Sequence, residues 1–114
     1  MKRTVFDEEF QLMKEVILSA DGDLSLYLVP AEVADNLVDA CNEFASEYVW
    51  QGPNNSKFLK LYGKQYVACF TEADFIDYLN EYLCPQFKSV KLKTLGSFDD
   101  GVPAQYQNLP WFNF

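Results

Sequence analysis

The first clear pattern along the chain is an alternation of apolar and polar residues over 24–29. Leu24, Leu26 and Leu28 fall on one face of an extended segment, and a short apolar run at 16–18 precedes it. The sequence Asp-Gly-Asp at 21–23 separates the two segments and favours a tight turn. Together these features predict a β-hairpin.

A helical pattern competes with this hairpin over residues 4–20. Phe10, Met13 and Ile17 have helical spacing, and Asp7 could cap such a helix. We predict the hairpin, because the apolar run leads directly into the turn residues.

Residues 30–48 carry the period of an amphipathic helix that begins at Pro30. The predicted buried stripe recurs in steps of three and four, and it comprises Val33, Leu37, Cys41, Phe44 and Tyr48, widened by Val38 and Ala45. Acidic residues recur with the same spacing on the other side, namely Glu32, Asp35, Asp39, Glu43 and Glu47. The helix is therefore expected to present a continuous acidic face to solvent.

The middle of the chain predicts a loop, a second hairpin and a second helix. Residues 50–56 are rich in turn-favouring types, and two strands at 57–62 and 65–70 are joined by Gly-Lys at 63–64. Thr71 and Asp74 form a short capping box for a helix over 72–83. Its predicted core residues are Phe75, Ile76, Leu79 and Leu83, and its predicted solvent-facing carboxylates are Asp74, Asp77 and Glu81.

The last predicted strand covers 87–95, with Val90 and Leu92 on one face and Ser89, Lys91 and Lys93 on the other. The order ββαββαβ predicts a single small α+β domain. Its mostly antiparallel sheet would have about five strands, with two helices packed on one face.

Residues 96–114 show no periodicity but contain too many large apolar side chains for a solvated tail. We expect a core domain over 1–95 and an aromatic extension over 96–114 that packs back on it. The alternative is that this tail docks on another chain. The candidate tail contacts are Tyr106, Trp111, Phe112 and Phe114.

The two predicted helices also echo one another, because residues 37–44 align with 75–82 and share Asp, Asn and Glu at matching positions. Two unrelated amphipathic helices would match at the apolar positions anyway, so an internal duplication is the less favoured explanation.

Charge is segregated along the chain. The sequence has 17 acidic and 9 basic residues and a net charge of −8, yet residues 15–56 and 65–87 contain no Lys or Arg. Such one-sign surfaces attract a basic partner and repel phosphate backbones. We therefore expect no direct nucleic-acid binding.

The residues needed for several kinds of catalysis are missing. The chain has no His, which excludes His-based triads and His-ligated metals, and it has no glycine-rich phosphate-binding motif. The three Cys residues form no C-x-x-C pair and suggest a reduced, cytoplasmic setting. A calcium-like spacing at Asp21, Asp23, Ser25 and Glu32 has Leu26 where the loop needs Gly. We expect no enzyme activity, no metal and no cofactor.

These observations lead to one hypothesis and two competitors. The hypothesis is a non-catalytic, inhibitor-type module that binds a basic protein through its acidic helix faces. Its candidate binding residues are Glu32, Asp35, Asp39, Glu43, Glu47, Asp74, Asp77 and Glu81. The competitors are an acidic face that serves only solubility, and self-association through the aromatic tail. No membrane association is expected, and the protein would be a monomer or a weak homodimer.

Overall fold

The computed structural model describes residues 12–20 and 22–114. In chain order its elements are β1 (Met13–Ala20), β2 (Asp23–Pro30), α1 (Ala31–Asp35), α2 (Leu37–Ser46), α3 (Gly52–Phe58), β3 (Leu59–Tyr62), β4 (Gln65–Ala68), α4 (Glu72–Tyr78), β5 (Val90–Ser97) and β6 (Trp111–Asn113). One π-helical turn, Leu79–Leu83, extends α4, and short 3-10 turns lie at Tyr48–Trp50, Phe98–Asp100 and Ala104–Tyr106. The predicted α+β class is confirmed, although the order of elements differs in part.

The first hairpin forms as predicted. β1 and β2 pair antiparallel from Met13 opposite Pro30 to Ala20 opposite Asp23, and Gly22 in the turn has a φ of 94°. A positive φ of this kind is easily adopted only by glycine. The predicted alternative of a helix over 4–20 is wrong for residues 13–20, whereas residues 4–11 and Asp21 lie outside the described part of the chain.

The predicted helix over 30–48 is present but interrupted at Asn36, whose φ of −128° and ψ of 39° are not helical. The interruption separates α1 from α2. In α2 the buried positions are Leu37, Ala40, Cys41 and Phe44. Val38 falls on the opposite side of this helix and is 55% exposed, so its predicted place in the buried stripe is wrong.

Residues 50–56 do not form the predicted loop, and 57–58 do not begin a strand. Pro53 lies in the first turn of α3, where its missing N–H costs no hydrogen bond. Asn54 donates a side-chain hydrogen bond to the carbonyl oxygen of Tyr48 at 3.0 Å, and Phe58 is buried at the other end of the helix. Tertiary packing of Phe58 therefore overrides the turn preference of the sequence.

The predicted single, mostly antiparallel sheet of about five strands is replaced by two sheets. The main sheet has the order β5-β2-β1-β6, and β3 and β4 form a separate two-stranded sheet. β6 lies in the region predicted to lack secondary structure and pairs parallel with β1, so the main sheet is mixed. Ser19 donates a side-chain hydrogen bond to Asn113 at 2.6 Å across this pair.

Both faces of the main sheet are covered. Val16, Leu18, Tyr27 and Val29 belong to the core cluster that contains the buried side chains of the helices, whereas Ile17, Leu24 and Leu26 form a second cluster on the other face. Residues of the tail and of β5 pack on this second cluster, namely Leu95, Val102, Tyr106 and Leu109. Phe112 and Phe114 instead pack against the main cluster, so the tail crosses the β1 edge of the sheet.

Two further register expectations are wrong for local reasons. Irregularities in the β2–β5 pairing leave Leu92 without an opposite residue in β2, and its side chain is exposed. Ser89, predicted on the wet face, is buried. Leu83 is also exposed rather than buried, because it ends the π-helical turn, while Tyr78 takes a core position.

Within the described ranges, no helix is both long enough and apolar enough to cross a lipid bilayer.

Candidate partner-binding groove

A shallow groove runs between α2 and the segment that follows the π-helical turn. We call it the acidic groove, and its lining residues are Glu32, Val33, Asn36, Asp39, Ala40, Glu43, Leu83, Cys84 and Gln86. The lining thus combines three carboxylates with apolar side chains. A neighbouring depression on α2 shares two of them and is lined by Asp39, Asn42, Glu43, Ser46 and Glu47.

The helical spacing of the carboxylates places them on one surface. Asp39 and Glu43 lie one turn apart on α2, and Glu32 lies on α1 before the break. Asn36 connects the two helices, because its side chain donates to the carbonyl oxygen of Glu32 at 3.0 Å. Its own carbonyl oxygen accepts from the N–H of Ala40 at 3.0 Å. The non-helical residue at the break is therefore held in place from both sides.

The opposite wall of the groove is positioned by the π-helical turn. The N–H of Cys84 donates to the carbonyl oxygen of Leu79 at 2.8 Å, five residues earlier, which is the π spacing. Further along the chain, the Asn80 side chain forms two hydrogen bonds with the backbone of Ser89. Its Oδ1 accepts from the N–H of Ser89 at 2.7 Å, and its Nδ2 donates to the carbonyl oxygen of Ser89 at 3.0 Å. These contacts tie both ends of residues 84–89 to the π-helical turn, and Cys84 and Gln86 between them line the groove beside α2.

Two carboxylates of the groove act electrostatically on nearby groups, of which Cys84 lines the groove and Tyr78 is buried in the core. Burial is the main cause that raises the pKa of the Cys84 thiol, and the negative charge of Glu32 is the second. Burial is likewise the main cause that raises the pKa of Tyr78 to about 12, and the negative charge of Glu43 is the next largest. Both groups are therefore uncharged near neutral pH, and a protonated thiol is a poor nucleophile. The charges that line the groove are its carboxylates.

Tyr78 lies near Glu43 and Cys84, and its ring packs against two further tyrosine rings. The ring centroid of Tyr78 is 4.6 Å from that of Tyr48 and 5.7 Å from that of Tyr82, and Tyr82 is exposed. Exposed tyrosine faces attract cationic side chains. Carboxylates beside such rings suit the guanidinium of Arg or the ammonium of Lys.

The structure brings together only some of the predicted binding residues. Glu32, Asp39 and Glu43 line the acidic groove, and Glu47 adjoins it. Asp35 is directed elsewhere and forms an ion pair of 2.8 Å with Lys14, the one salt bridge found in the described part of the chain. Residues Asn36, Leu83, Cys84 and Gln86 were not predicted to belong to the site.

The carboxylates of α4 lie outside the groove lining. Asp74 accepts a hydrogen bond from the N–H of Thr71 at 2.9 Å, which confirms its predicted capping role. It also lines a separate cleft with Lys60, Cys69 and Phe70 at the base of the second hairpin. Asp77 and Glu81 are exposed.

The predicted tail contacts are divided between the two faces of the sheet. Phe112 and Phe114 are partly buried against the main core, and Tyr106 packs on the second cluster. Lys93 lies 5.2 Å from the centroid of the Tyr106 ring and lowers the pKa of its hydroxyl. Trp111 is 49% exposed, with its ring centroid 6.1 Å from that of Phe98.

The calcium-like spacing of the sequence falls largely on a strand, because Asp23 and Ser25 belong to β2. Asp21 lies outside the described residues. Among residues 12–20 and 22–114, no group of three or more His, Cys, Asp or Glu side chains is arranged to hold a metal ion.

Comparison with known proteins finds no matching family model, no matching curated protein and no matching solved structure.

Proposed function

We propose that this protein is a non-catalytic binding module, of the inhibitor type, that engages a basic protein through the acidic groove. The observation that carries the proposal is the placement of Glu32, Asp39 and Glu43 around one groove. None of the three forms an ion pair with a residue in the described ranges. Keeping like charges together in this way costs stability, which a cationic partner would recover.

The apolar part of the groove lining adds to this support. A cationic side chain carries an apolar stem, which can pack on the exposed side chain of Leu83 while its charged end meets the carboxylates. Tyr82 is not itself a lining residue, but it is exposed and directly precedes the lining residue Leu83, so its ring offers a further surface for an Arg side chain next to the groove. We expect a partner with several Arg or Lys residues on one surface and a cytoplasmic site of action.

The test is the binding of a fluorescent oligo-arginine peptide to the full chain, measured by anisotropy at low and moderate salt. The double variant Asp39→Asn, Glu43→Gln is expected to bind about 3- to 30-fold more weakly, because each exposed charge pair contributes up to about 1 kcal/mol. Its affinity should also depend less on salt. The variant should fold normally, since it removes an i, i+4 repulsion.

A matched control has the same change in net charge at a different place. Asp99→Asn with Asp100→Asn alters two exposed residues of the 3-10 turn after β5, outside the groove. This control should change the affinity by less than about twofold. Equal weakening by both double variants would contradict the proposal and favour an acidic surface that serves only solubility.

The second candidate function is self-association through the aromatic tail. The observation that favours it is the exposed pair of Trp111 and Phe98. The pair is small, however, and the other aromatic side chains of the tail are at least partly covered by their own chain. We therefore rank this candidate below the acidic groove.

A further inference from the structure

The β3–β4 hairpin has few contacts with the main sheet. It forms a sheet of its own, and within the described residues neither of its outer edges pairs with another strand. Its base is anchored by a hydrogen bond of 2.8 Å from the N–H of Cys69 to the carbonyl oxygen of Phe58, which is buried. A two-stranded hairpin is only marginally stable alone, so exposure of this one needs an explanation.

Large apolar side chains lie on both faces of the hairpin. Leu61 is opposite Tyr66 on one face, and Tyr62 and Val67 lie on the other. Each of the four side chains is between 43% and 62% exposed. Apolar patches that are surrounded by polar residues commonly mark surfaces for protein interaction.

The hairpin is also one of two basic segments of the chain, the other being residues 82–98 with Lys88, Lys91 and Lys93. Lys57, Lys60 and Lys64 lie in or next to the hairpin, and residues 48–71 contain no Asp or Glu. None of the three lysines forms a salt bridge with a residue that the structure describes. The hairpin therefore combines exposed aromatic rings with unbalanced positive charge, whereas the acidic groove has the opposite charge.

We propose that the hairpin of one copy docks in the acidic groove of a second copy. This inference rests on the proposed function, because it uses the same groove and assigns it a partner. Charge complementarity selects this occupant: pairing of two hairpins would bring their lysines together, and docking in the groove brings them to carboxylates. With a net charge of −8, the whole chain disfavours a nucleic acid as the occupant.

The geometry of this contact has a consequence for assembly. Hairpin and groove are different surfaces, so each contact is head-to-tail, and the copies form a ring if the rotation between them closes and an open chain if it does not. The hairpin is small, which places the interface below about 1,200 Å² of total buried area, the range of weak contacts. Association should thus increase with protein concentration.

The experiment is sedimentation velocity of the full chain over a range of concentrations, with two charge-reversal variants. One carries Lys60→Glu and Lys64→Glu, and the other carries Asp39→Lys and Glu43→Lys. Wild type is expected to associate as concentration rises, and each variant alone should sediment as a monomer. An equimolar mixture of the two variants should associate again, because each hairpin then meets a groove of opposite charge.

Controls separate this contact from a general effect of charge. Lys91→Glu with Lys93→Glu on β5, and Asp99→Lys with Asp100→Lys after it, make matched changes outside hairpin and groove and should leave association intact. Circular dichroism checks that each variant is folded. The salt dependence of sedimentation gives a test that needs no variant. About 0.5 M NaCl should dissociate the wild-type assembly, because salt screens the charges.

Several results would overturn the inference. These are a wild-type protein that is monomeric at every concentration, a hairpin variant that still associates, a mixture that does not associate, and association that strengthens with salt. Binding of single-stranded oligothymidine that depends on Lys60 and Lys64, without self-association, would assign the hairpin to nucleic acid instead. If self-association fails while oligo-arginine binding still depends on Asp39 and Glu43, only this inference is lost.

Discussion

Replacing Phe44 with alanine is expected to lower the free energy of unfolding by about 3–5 kcal/mol, the usual cost of removing a buried aromatic ring. The Phe44 side chain is 0% exposed. Its ring centroid lies within 6.2 Å of those of six other aromatic residues, which come from separate parts of the chain: Tyr48, Phe58, Phe70, Phe75, Tyr78 and Phe114. Urea denaturation followed by circular dichroism measures the change.

Val38→Ala is the control for this variant, because Val38 is on the same helix and is 55% exposed. It should change the free energy of unfolding by less than about 0.5 kcal/mol. If Phe44→Ala were equally mild, the aromatic cluster would not be the centre of the core.

Deleting residues 107–114 is expected to be the second most damaging change. The deletion removes β6 from the β1 edge, takes Phe112 and Phe114 from the main core, and uncovers the second cluster where Leu109 packs. The lost burial corresponds to at least about 3 kcal/mol. In a domain of this size that amounts to a fall in Tm of roughly 12–24 °C. Thermal melting measures the fall, and binding of a hydrophobic dye should increase.

Trp111→Ala serves as the comparison for the deletion, because Trp111 is about half exposed and its loss should lower Tm much less. The opposite pattern would support self-association through the tail. In that case the truncated chain would melt unchanged and elute as a monomer, while the full chain elutes as an oligomer.

Local patterns in the sequence predicted the elements that depend on neighbouring residues. The β1–β2 hairpin, α2, the β3–β4 hairpin and α4 follow from periodicity and turn chemistry over short windows. α3 was missed because its last residue, Phe58, is buried against Phe44 of α2, which lies outside the local window. β6 was missed because its three residues pair with a strand far away in sequence. The position of the β3–β4 hairpin outside the main sheet could not be predicted either, because strands distant in sequence, β5 and β6, occupy the two edges of that sheet.

The candidate site was predictable to a similar extent. Helical spacing placed Glu32, Asp39 and Glu43 on an exposed face, and the structure has them there. Helical spacing alone could not show that the other side of the groove is formed by Leu83, Cys84 and Gln86, because their position depends on the π-helical turn after α4. An acidic face can thus be predicted from spacing, but a groove requires knowledge of packing.

The strand order of the main sheet also bears on how fast the chain can fold. Apart from the first hairpin, every pairing in this sheet joins distant segments: β5 adds to β2 from about 70 residues away, as from Leu26 to Lys93, and Ser19 meets Asn113 across 94 residues. Closing such long loops lowers the entropy of the chain before the stabilising contacts between the strands can form. The β1–β2 hairpin can form early and alone, whereas the two outer strands must wait for collapse of the intervening helices. Refolding in milliseconds to seconds, rather than microseconds, is the rate that stopped-flow mixing should record.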